Sequence, residues 1–125
     1  MIMFKALVRK LVLRFEHLLP PRRLIVVKGD SLPSKMPIRA IVLVKDGSED
    51  WCVGMHCPCA CGRTIELLVV DEAKPRWDYS VDSDGHPSLH PSVWLNNGCR
   101  SHFWLKNGRI NWCRSAATSE ETRSL

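Results

Sequence analysis

The feature that most constrains the fold is a group of cysteines at alternate positions, followed later in the chain by a second short motif. Cys57, Cys59 and Cys61 lie in "HCPCACG", and "GCRSHFW" places Cys99 three positions before His102. In an extended segment, side chains at alternate positions point to one side, so the three sulfurs of the first motif can converge if Pro58 and Gly62 shape the chain into a knuckle. Thiols spaced in this way favour a metal site over disulfide bonds.

Two such motifs predict a closed tetrahedral site, which suits zinc. Two ligand sets remain open. Either all three cysteines of the first motif join Cys99 and leave His102 free, or two of them join Cys99 and His102. The pattern C-x-C with C-x-x-H also resembles the C-x-H and C-x-x-H of Rieske proteins, so an iron–sulfur cluster is the alternative cofactor. The remaining cysteines, Cys52 and Cys113, each lie beside a tryptophan and are predicted to be core residues.

The chain has 125 residues and six cysteines, which fits a single domain. The N-terminal stretch "MIMFKALVRKLVLRFEHLL" is interrupted by basic residues and is followed by no small-residue cleavage site. It is also too short and too charged to span a bilayer. We therefore expect a cytoplasmic, reduced protein with no transmembrane segment. The net charge of +5 is not accompanied by a nucleic-acid motif with interleaved aromatics, so no nucleic-acid partner is expected.

The first 19 residues are predicted to form one amphipathic helix that ends before Pro20. The expected role of its apolar stripe is to cover one side of a sheet, and the alternative is a helix that lies on a membrane surface. The stripe has five members at helical spacing: Phe4, Leu7, Leu11, Phe15 and Leu18.

From Leu24 onward, short runs rich in β-branched residues predict strands separated by turns. "HFWLKNGRINWC" reads as a hairpin in which Asn107-Gly108 form a type I′ turn. Residues 114–125 lack apolar periodicity and are predicted to be a disordered tail. The predicted fold is mainly β: a single metal-binding domain over residues 1–113. It is a small zinc-knuckle β domain, rubredoxin- or Rieske-like, preceded by one N-terminal amphipathic α-helix.

Three segments, "HCPCACG", "RWDYSVDSDGHPSLHPSVW" and "GCRSHFWLKNGRINW", together resemble a bacterial domain-of-unknown-function family. Its members carry a C-x-C-G-C-G knuckle, a P-S-[IV] element and a closing C-R-S-H-[FY]-W. Ala60 departs from this pattern, since members usually have glycine there. The family is encoded beside ubiquitin-like proteins and E1- and E2-like enzymes in operons linked to phage defence. The resemblance implies a peptidase that processes or removes a ubiquitin-like modifier, with these proteins as partners.

The motifs that carry the resemblance contain candidates for a serine mechanism. Ser92 is the candidate nucleophile and His102 the candidate base, with His90 as a second candidate base. An orienting carboxylate would come from Asp78, Asp82 or Asp84. A structural interpretation remains open beside this one, in which the Ser92 hydroxyl bonds the local backbone and His102 is a metal ligand.

Three functional classes therefore remain. The first is a zinc-stabilised peptidase acting on a ubiquitin-like modifier, and it is our working hypothesis. The second is a non-catalytic zinc-binding adaptor in the same pathway. The third is a Rieske-like electron carrier, which would contain iron and labile sulfide and would be coloured.

Overall fold

The computed structural model of the protein describes residues 2–95, 97–113 and 122–124. Within these ranges the chain forms one α-helix, one 3-10 helix and ten β-strands. The helix α1 spans Ile2–Arg14, and the 3-10 helix spans Glu16–Leu18. The strands are β1 (Leu24–Lys28), β2 (Ile41–Asp46), β3 (Glu49–His56), β4 (Thr64–Leu68), β5 (Asp78–Val81), β6 (Pro87–His90), β7 (Ser92–Trp94), β8 (His102–Lys106), β9 (Arg109–Trp112) and β10 (Thr122–Ser124).

The strands described here form two four-stranded sheets and one two-stranded ribbon. The first sheet has the order β1-β2-β3-β4, with β1 parallel to β2 and the other neighbours antiparallel. The second has the order β10-β7-β8-β9, with β10 parallel to β7. The ribbon pairs β5 with β6. The prediction of a mainly β fold behind one N-terminal helix is confirmed.

The main core contains apolar side chains from both four-stranded sheets. Because side chains alternate along a strand, every second residue enters this core. In the first sheet, β4 buries Ile65 and Leu67 while the residues on either side of them are exposed. The other strand residues of the core are Ile41, Leu43, Val53, Met55, Val93, Phe103 and Leu105, and Trp77 and Leu89 join them.

A second cluster lies on the other face of the first sheet. Val42, Val44 and Cys52 are buried there, and Leu32, from the segment between β1 and β2, contacts them. Gly54 makes this possible, because a Cβ at that position would collide with the Leu32 side chain. Cys52 is thus a core residue as predicted, whereas Cys113 is only half-buried.

The β8–β9 hairpin has the turn that the sequence predicts. Asn107 and Gly108 both have positive φ angles, 49° and 78°, as a type I′ turn requires. Gly108 has a second role, because the backbone of Arg22 lies too close to leave room for a Cβ. The Arg22 N–H donates to the Gly108 carbonyl oxygen at 2.8 Å. The turn therefore contacts the segment that follows the helix.

The predicted disordered tail, residues 114–125, falls mostly outside the described residues. Its described part is β10, whose three residues pair with β7.

The expected contact of the α1 stripe with the sheet is wrong. Leu7, Leu11, Phe15 and Leu18 are between 46% and 70% exposed, whereas Leu13 is only 7% exposed. Phe4, the fifth member, lies among the helix residues whose side chains are not described. Successive helix residues are about 100° apart, so Leu13 lies on nearly the opposite side from Leu11. Apolar residues occur on both sides of α1. The periodicity predicted that the side with the stripe is buried, whereas the structure buries Leu13 on the other side. None of the described helices combines the length and apolar character needed to cross a bilayer.

We expect Leu11→Ala to change the free energy of unfolding by less than about 0.5 kcal/mol, because the side chain is already half exposed. Leu13→Ala should cost roughly 2 kcal/mol or more, because it removes a buried side chain. Chemical denaturation of the two variants beside the wild type measures both values. A large loss of stability in Leu11→Ala would show that the apolar stripe is packed in the core.

An ion-pair network fixes the end of the helical segment. Each carboxylate oxygen of Glu16 accepts hydrogen bonds from both Arg22 and Arg39, at 2.8–3.1 Å. The Arg22 side chain is fully buried. Burial acts to raise the pKa of Glu16, but the hydrogen bonds and charges of the two arginines outweigh it and lower that pKa to about 2. Glu16 is therefore ionised in the folded protein and compensates a buried cation.

Glu16→Gln should lower the stability at neutral pH by roughly 3 kcal/mol, because it leaves the buried Arg22 uncompensated. The folded pKa of Glu16 lies below its ordinary value of 4.5, so this stabilisation is complete above that pH and is lost as the pH falls towards 2. The gap between wild type and variant should close over that window in denaturation experiments. Glu49→Gln, at an exposed glutamate of β3, is the matched control, and an equal effect there would contradict the role of Glu16.

Candidate metal centre and serine–histidine pair

The first cysteine motif forms a tight connection between β3 and β4. The Cys57 N–H donates to the Arg63 carbonyl at 2.8 Å, and the Ala60 N–H donates to the Cys57 carbonyl at 3.2 Å. Ala60 and Gly62 have positive φ angles of 72° and 92°. The segment is thus a turn, and Gly62 has the backbone conformation that the predicted knuckle requires. The φ angle of Ala60 lies in the region that favours glycine, the residue that the resembled family has there.

The second motif lies in the connection between β7 and β8. The Leu95 N–H donates to the Ser101 carbonyl at 2.8 Å and closes this connection, which carries Cys99. The Arg63 guanidinium reaches across from the first connection and donates to the Asn97 side-chain oxygen at 2.7 Å. The connections of the two sheets therefore meet, and each brings cysteines to the meeting point.

Four sulfurs converge where the two connections meet. The Sγ atoms of Cys57, Cys59, Cys61 and Cys99 all lie within 4.8 Å of one another. Cys57 Sγ is 3.3 Å from Cys59 Sγ and 3.6 Å from Cys99 Sγ. A tetrahedral zinc with Zn–S bonds of about 2.3 Å places its sulfurs about 3.8 Å apart. The group could hold a single metal ion, and His102 is not a member of it.

The thiolate form is favoured at Cys99, whereas burial raises the pKa values of Cys57 and Cys61. Ser101 Oγ lies 3.1 Å from Cys99 Sγ and 3.5 Å from Cys57 Sγ. Burial acts to raise the pKa of Cys99, but the Ser101 hydroxyl and N–H outweigh it and lower that pKa to about 6. The N–H two positions after the cysteine also bonds Cys57 and Cys61. Such bonds orient and stabilise metal-binding thiolates.

Ser92 and His102 lie on the neighbouring antiparallel strands β7 and β8. In the register of these strands, Trp94 is opposite His102 and Val93 is opposite Phe103. Because side chains alternate, Ser92, Trp94 and His102 share one face of the sheet, and Val93 and Phe103 enter the core from the other. Ser92 is the diagonal neighbour of His102, and its Oγ lies 3.0 Å from His102 Nε2. The structure thus brings the predicted nucleophile and base together.

The surroundings of this pair are apolar. Ser92 is fully buried and His102 is 9% exposed. The Trp94 indole stacks on the imidazole, with ring centroids 5.3 Å apart and planes inclined by 20°. Burial lowers the pKa of His102 below its ordinary value of 6.5. The imidazole is therefore neutral near pH 7 and can accept a proton.

The other sequence candidates lie elsewhere. His90 stacks near Trp104, with centroids 5.8 Å apart, and among the described residues no hydrogen bond connects it to Ser92. Asp78 pairs with Arg76.

Asp82 accepts the N–H groups of Asp84 and His86 with one carboxylate oxygen. Within the described ranges, no hydrogen bond or ion pair joins His102 to any of the three predicted aspartates. Sequence reasoning missed two contacts, the stacking of Trp94 on His102 and the contacts of Ser101 with the sulfurs. Trp94 could have been found from the strand alternation, since it lies two positions after Ser92.

Fold and site together define a small, mainly β protein with a four-cysteine group that could hold a metal ion. Three of its cysteines lie in the β3–β4 connection, and Cys99 lies in the connection between the two strands that carry a serine–histidine pair. A family model described as "Bacterial ubiquitination-like system serine protease (BubE)" matches residues 28–113, more than two thirds of the chain, and the chain belongs to this family. The resemblance stated from the motifs is thereby confirmed, and α1 lies outside the match. Neither the curated proteins nor the solved structures gave a match.

Cys99→Ser should abolish metal binding by the group and destabilise the fold, because the variant lacks the one sulfur of this group that comes from the β7–β8 connection. Metal binding of this kind contributes on the order of 10 kcal/mol in small zinc domains. Elemental analysis and thermal unfolding measure both effects. Cys113→Ser, at a cysteine outside the group, should keep the metal. Full metal content in Cys99→Ser would exclude Cys99 as a ligand.

Proposed function

We propose that the protein is a zinc-stabilised serine peptidase that processes or removes a bacterial ubiquitin-like modifier, with Ser92 as nucleophile and His102 as base. The observation that carries the proposal is the 3.0 Å distance between Ser92 Oγ and His102 Nε2. A histidine needs this reach to take the proton of a serine as it attacks a carbonyl. Membership of a family described as serine proteases of a ubiquitination-like system supports the reaction class.

The reaction follows from the two side chains. Ser92 Oγ attacks the scissile carbonyl carbon, and its proton passes to His102 Nε2. His102 then gives this proton to the leaving amine as the peptide bond breaks, which leaves an acyl group on Ser92. A water molecule, deprotonated by His102, hydrolyses the ester and returns Ser92 to its starting form. The lowered pKa of His102 keeps it available as a base.

Trp94 takes part of the role that an aspartate has in a triad. In a triad the carboxylate holds the imidazole in the productive orientation and stabilises its cation. Stacking against the indole restricts rotation of the His102 ring. A tryptophan face also attracts a cation, so it favours the imidazolium that forms during the reaction.

The metal is proposed to be zinc, held by Cys57, Cys59, Cys61 and Cys99 as a structural ion. Four thiolates around a closed tetrahedral site fit zinc. The compact sulfur group suits one ion better than a two-iron cluster, in which the ligands divide between two metals. The ion would fix the connection between β7 and β8, and with it the register of Ser92 and His102. The alternative ligand set with His102 is disfavoured by its contact with Ser92.

The partners that we propose are a ubiquitin-like protein and the E1- and E2-like enzymes of the same pathway, with phage defence as the biological setting. We place the protein in the cytoplasm, because the sulfur group requires reduced cysteines and all six cysteines are free. A non-catalytic adaptor is the second candidate. The complete burial of Ser92 favours it, since a covered hydroxyl cannot reach a peptide carbonyl.

Ser92→Ala should lower cleavage of a cognate ubiquitin-like precursor or conjugate by at least about 10³-fold, with metal content and melting temperature nearly unchanged. Ser80→Ala, at an exposed serine on β5, is the control and should remain active. Labelling by a fluorophosphonate, in which Ser92 Oγ displaces fluoride from phosphorus, reports the activated serine directly. Undiminished cleavage by Ser92→Ala would exclude the serine mechanism.

The same assay separates the two histidines. His102→Ala should give a folded, metal-loaded and inactive protein, whereas His90→Ala should stay active. Loss of metal in His102→Ala would make His102 a ligand. The rate in the wild type should fall on the acid side at a pH below 6.5, because the base must be neutral and its pKa is lowered.

A further inference from the structure

Thr122–Ser124 lie beside the strand that carries Ser92. These residues form β10, which pairs in parallel with β7. Thr122 is opposite Ser92, Arg123 is opposite Val93 and Ser124 is opposite Trp94. Paired strands lie about 4.8 Å apart, so the β10 backbone runs directly beside the strand of the proposed nucleophile.

The edge of β7 that β10 covers would otherwise be open. The order of the second sheet is β10-β7-β8-β9, so β7 has β8 on one side and the short β10 on the other. A strand at an open edge presents unpaired N–H and C=O groups that can pair with another extended chain. Pairing of this kind is a common way for a protein to bind a peptide, because main-chain hydrogen bonds supply the affinity.

Ser92 is fully buried with β10 in place. A nucleophile in this state needs a movement that lets a peptide carbonyl approach. The residue paired with Ser92 in the register is Thr122 of β10. This strand has three residues and is the end strand of its sheet. Its departure would open the edge of β7 without disturbing the pairing of β7 with β8.

We propose that an extended peptide segment of the protein substrate pairs with this edge of β7, and that Thr122–Ser124 occupy the same edge and must leave it first. The proposal rests on the proposed function, since it assigns how the substrate of Ser92 is held. The occupant is recognised by its main chain, so a flexible tail fits and a folded surface does not. The segment of the chain itself acts as a competitor.

The test compares two double variants of the full chain. Successive N–H groups of a strand point to opposite edges, so only one of the N–H groups of Arg123 and Ser124 faces β7. A single proline could therefore replace the residue whose N–H points away from β7. Arg123→Pro with Ser124→Pro removes both donors, whereas Arg123→Ala with Ser124→Ala keeps them. We expect the proline variant to react with a fluorophosphonate several-fold faster than wild type, and the alanine variant to match wild type. Equal rates in all three proteins would overturn the proposal.

Binding gives a readout that does not depend on catalysis. A dye-labelled peptide with the sequence EETRSL, residues 120–125, should bind the proline variant but not wild type in fluorescence anisotropy. The same peptide with N-methyl groups on the amides of Thr122, Arg123 and Ser124 should not bind, because it cannot pair as a strand. Equal binding of both peptides, or binding of neither, would overturn the proposal.

Failure of the peptidase has a different signature. Strand-dependent binding of the peptide without labelling of Ser92 in any variant would support the edge and exclude the serine mechanism. Labelling of Ser92 at the same rate in all variants, without peptide binding, would support the serine mechanism and overturn the edge. Adding Ser92→Ala to the proline variant should leave the peptide affinity unchanged.

Discussion

The two sheets meet at the four-sulfur group. Cys57, Cys59 and Cys61 come from the connection between strands of one sheet, and Cys99 comes from the corresponding connection in the other. Among the residues that the structure describes, one hydrophobic core joins the same two sheets. A small domain has limited apolar area to bury, so a metal ion held by these four sulfurs would add substantially to its stability. The connection that carries Cys99 also joins the two strands of the serine–histidine pair.

The pair itself illustrates how a β-sheet can position two reactive groups. Ser92 and His102 are diagonal neighbours on antiparallel strands, and the opposite faces of these strands are buried in the core through Val93 and Phe103. A shift of one residue in the register of either strand would move its member of the pair to the other face. The apolar alternation therefore fixes the site. Burial has a second consequence, since it keeps His102 neutral by lowering its pKa, but it also covers Ser92.

Much of the fold could be predicted from local patterns. The type I′ turn at Asn107-Gly108 depends on two residues that tolerate positive φ angles, and the structure has it. The helix was predicted but its buried side was not. The α1 sequence has apolar residues in several directions, and only the contact of Leu13 decides among them. The parallel pairing of β1 with β2 could not be predicted from the sequence either, because it depends on how the segment between them crosses the sheet.

For the site, the sequence determined which residue types are present: cysteines at alternate positions predict a group that could hold a metal ion, and the motifs identify the family of the chain. Which groups meet was decided by the tertiary structure. The sequence left His102 open as a ligand or a base, and the cross-strand register brings its Nε2 to Ser92. The stacking of Trp94 on His102 and the contacts of Ser101 with the sulfurs were likewise decided by the tertiary structure. Contacts between strands depend on register and on sheet packing, which are set by the whole core rather than by any local segment.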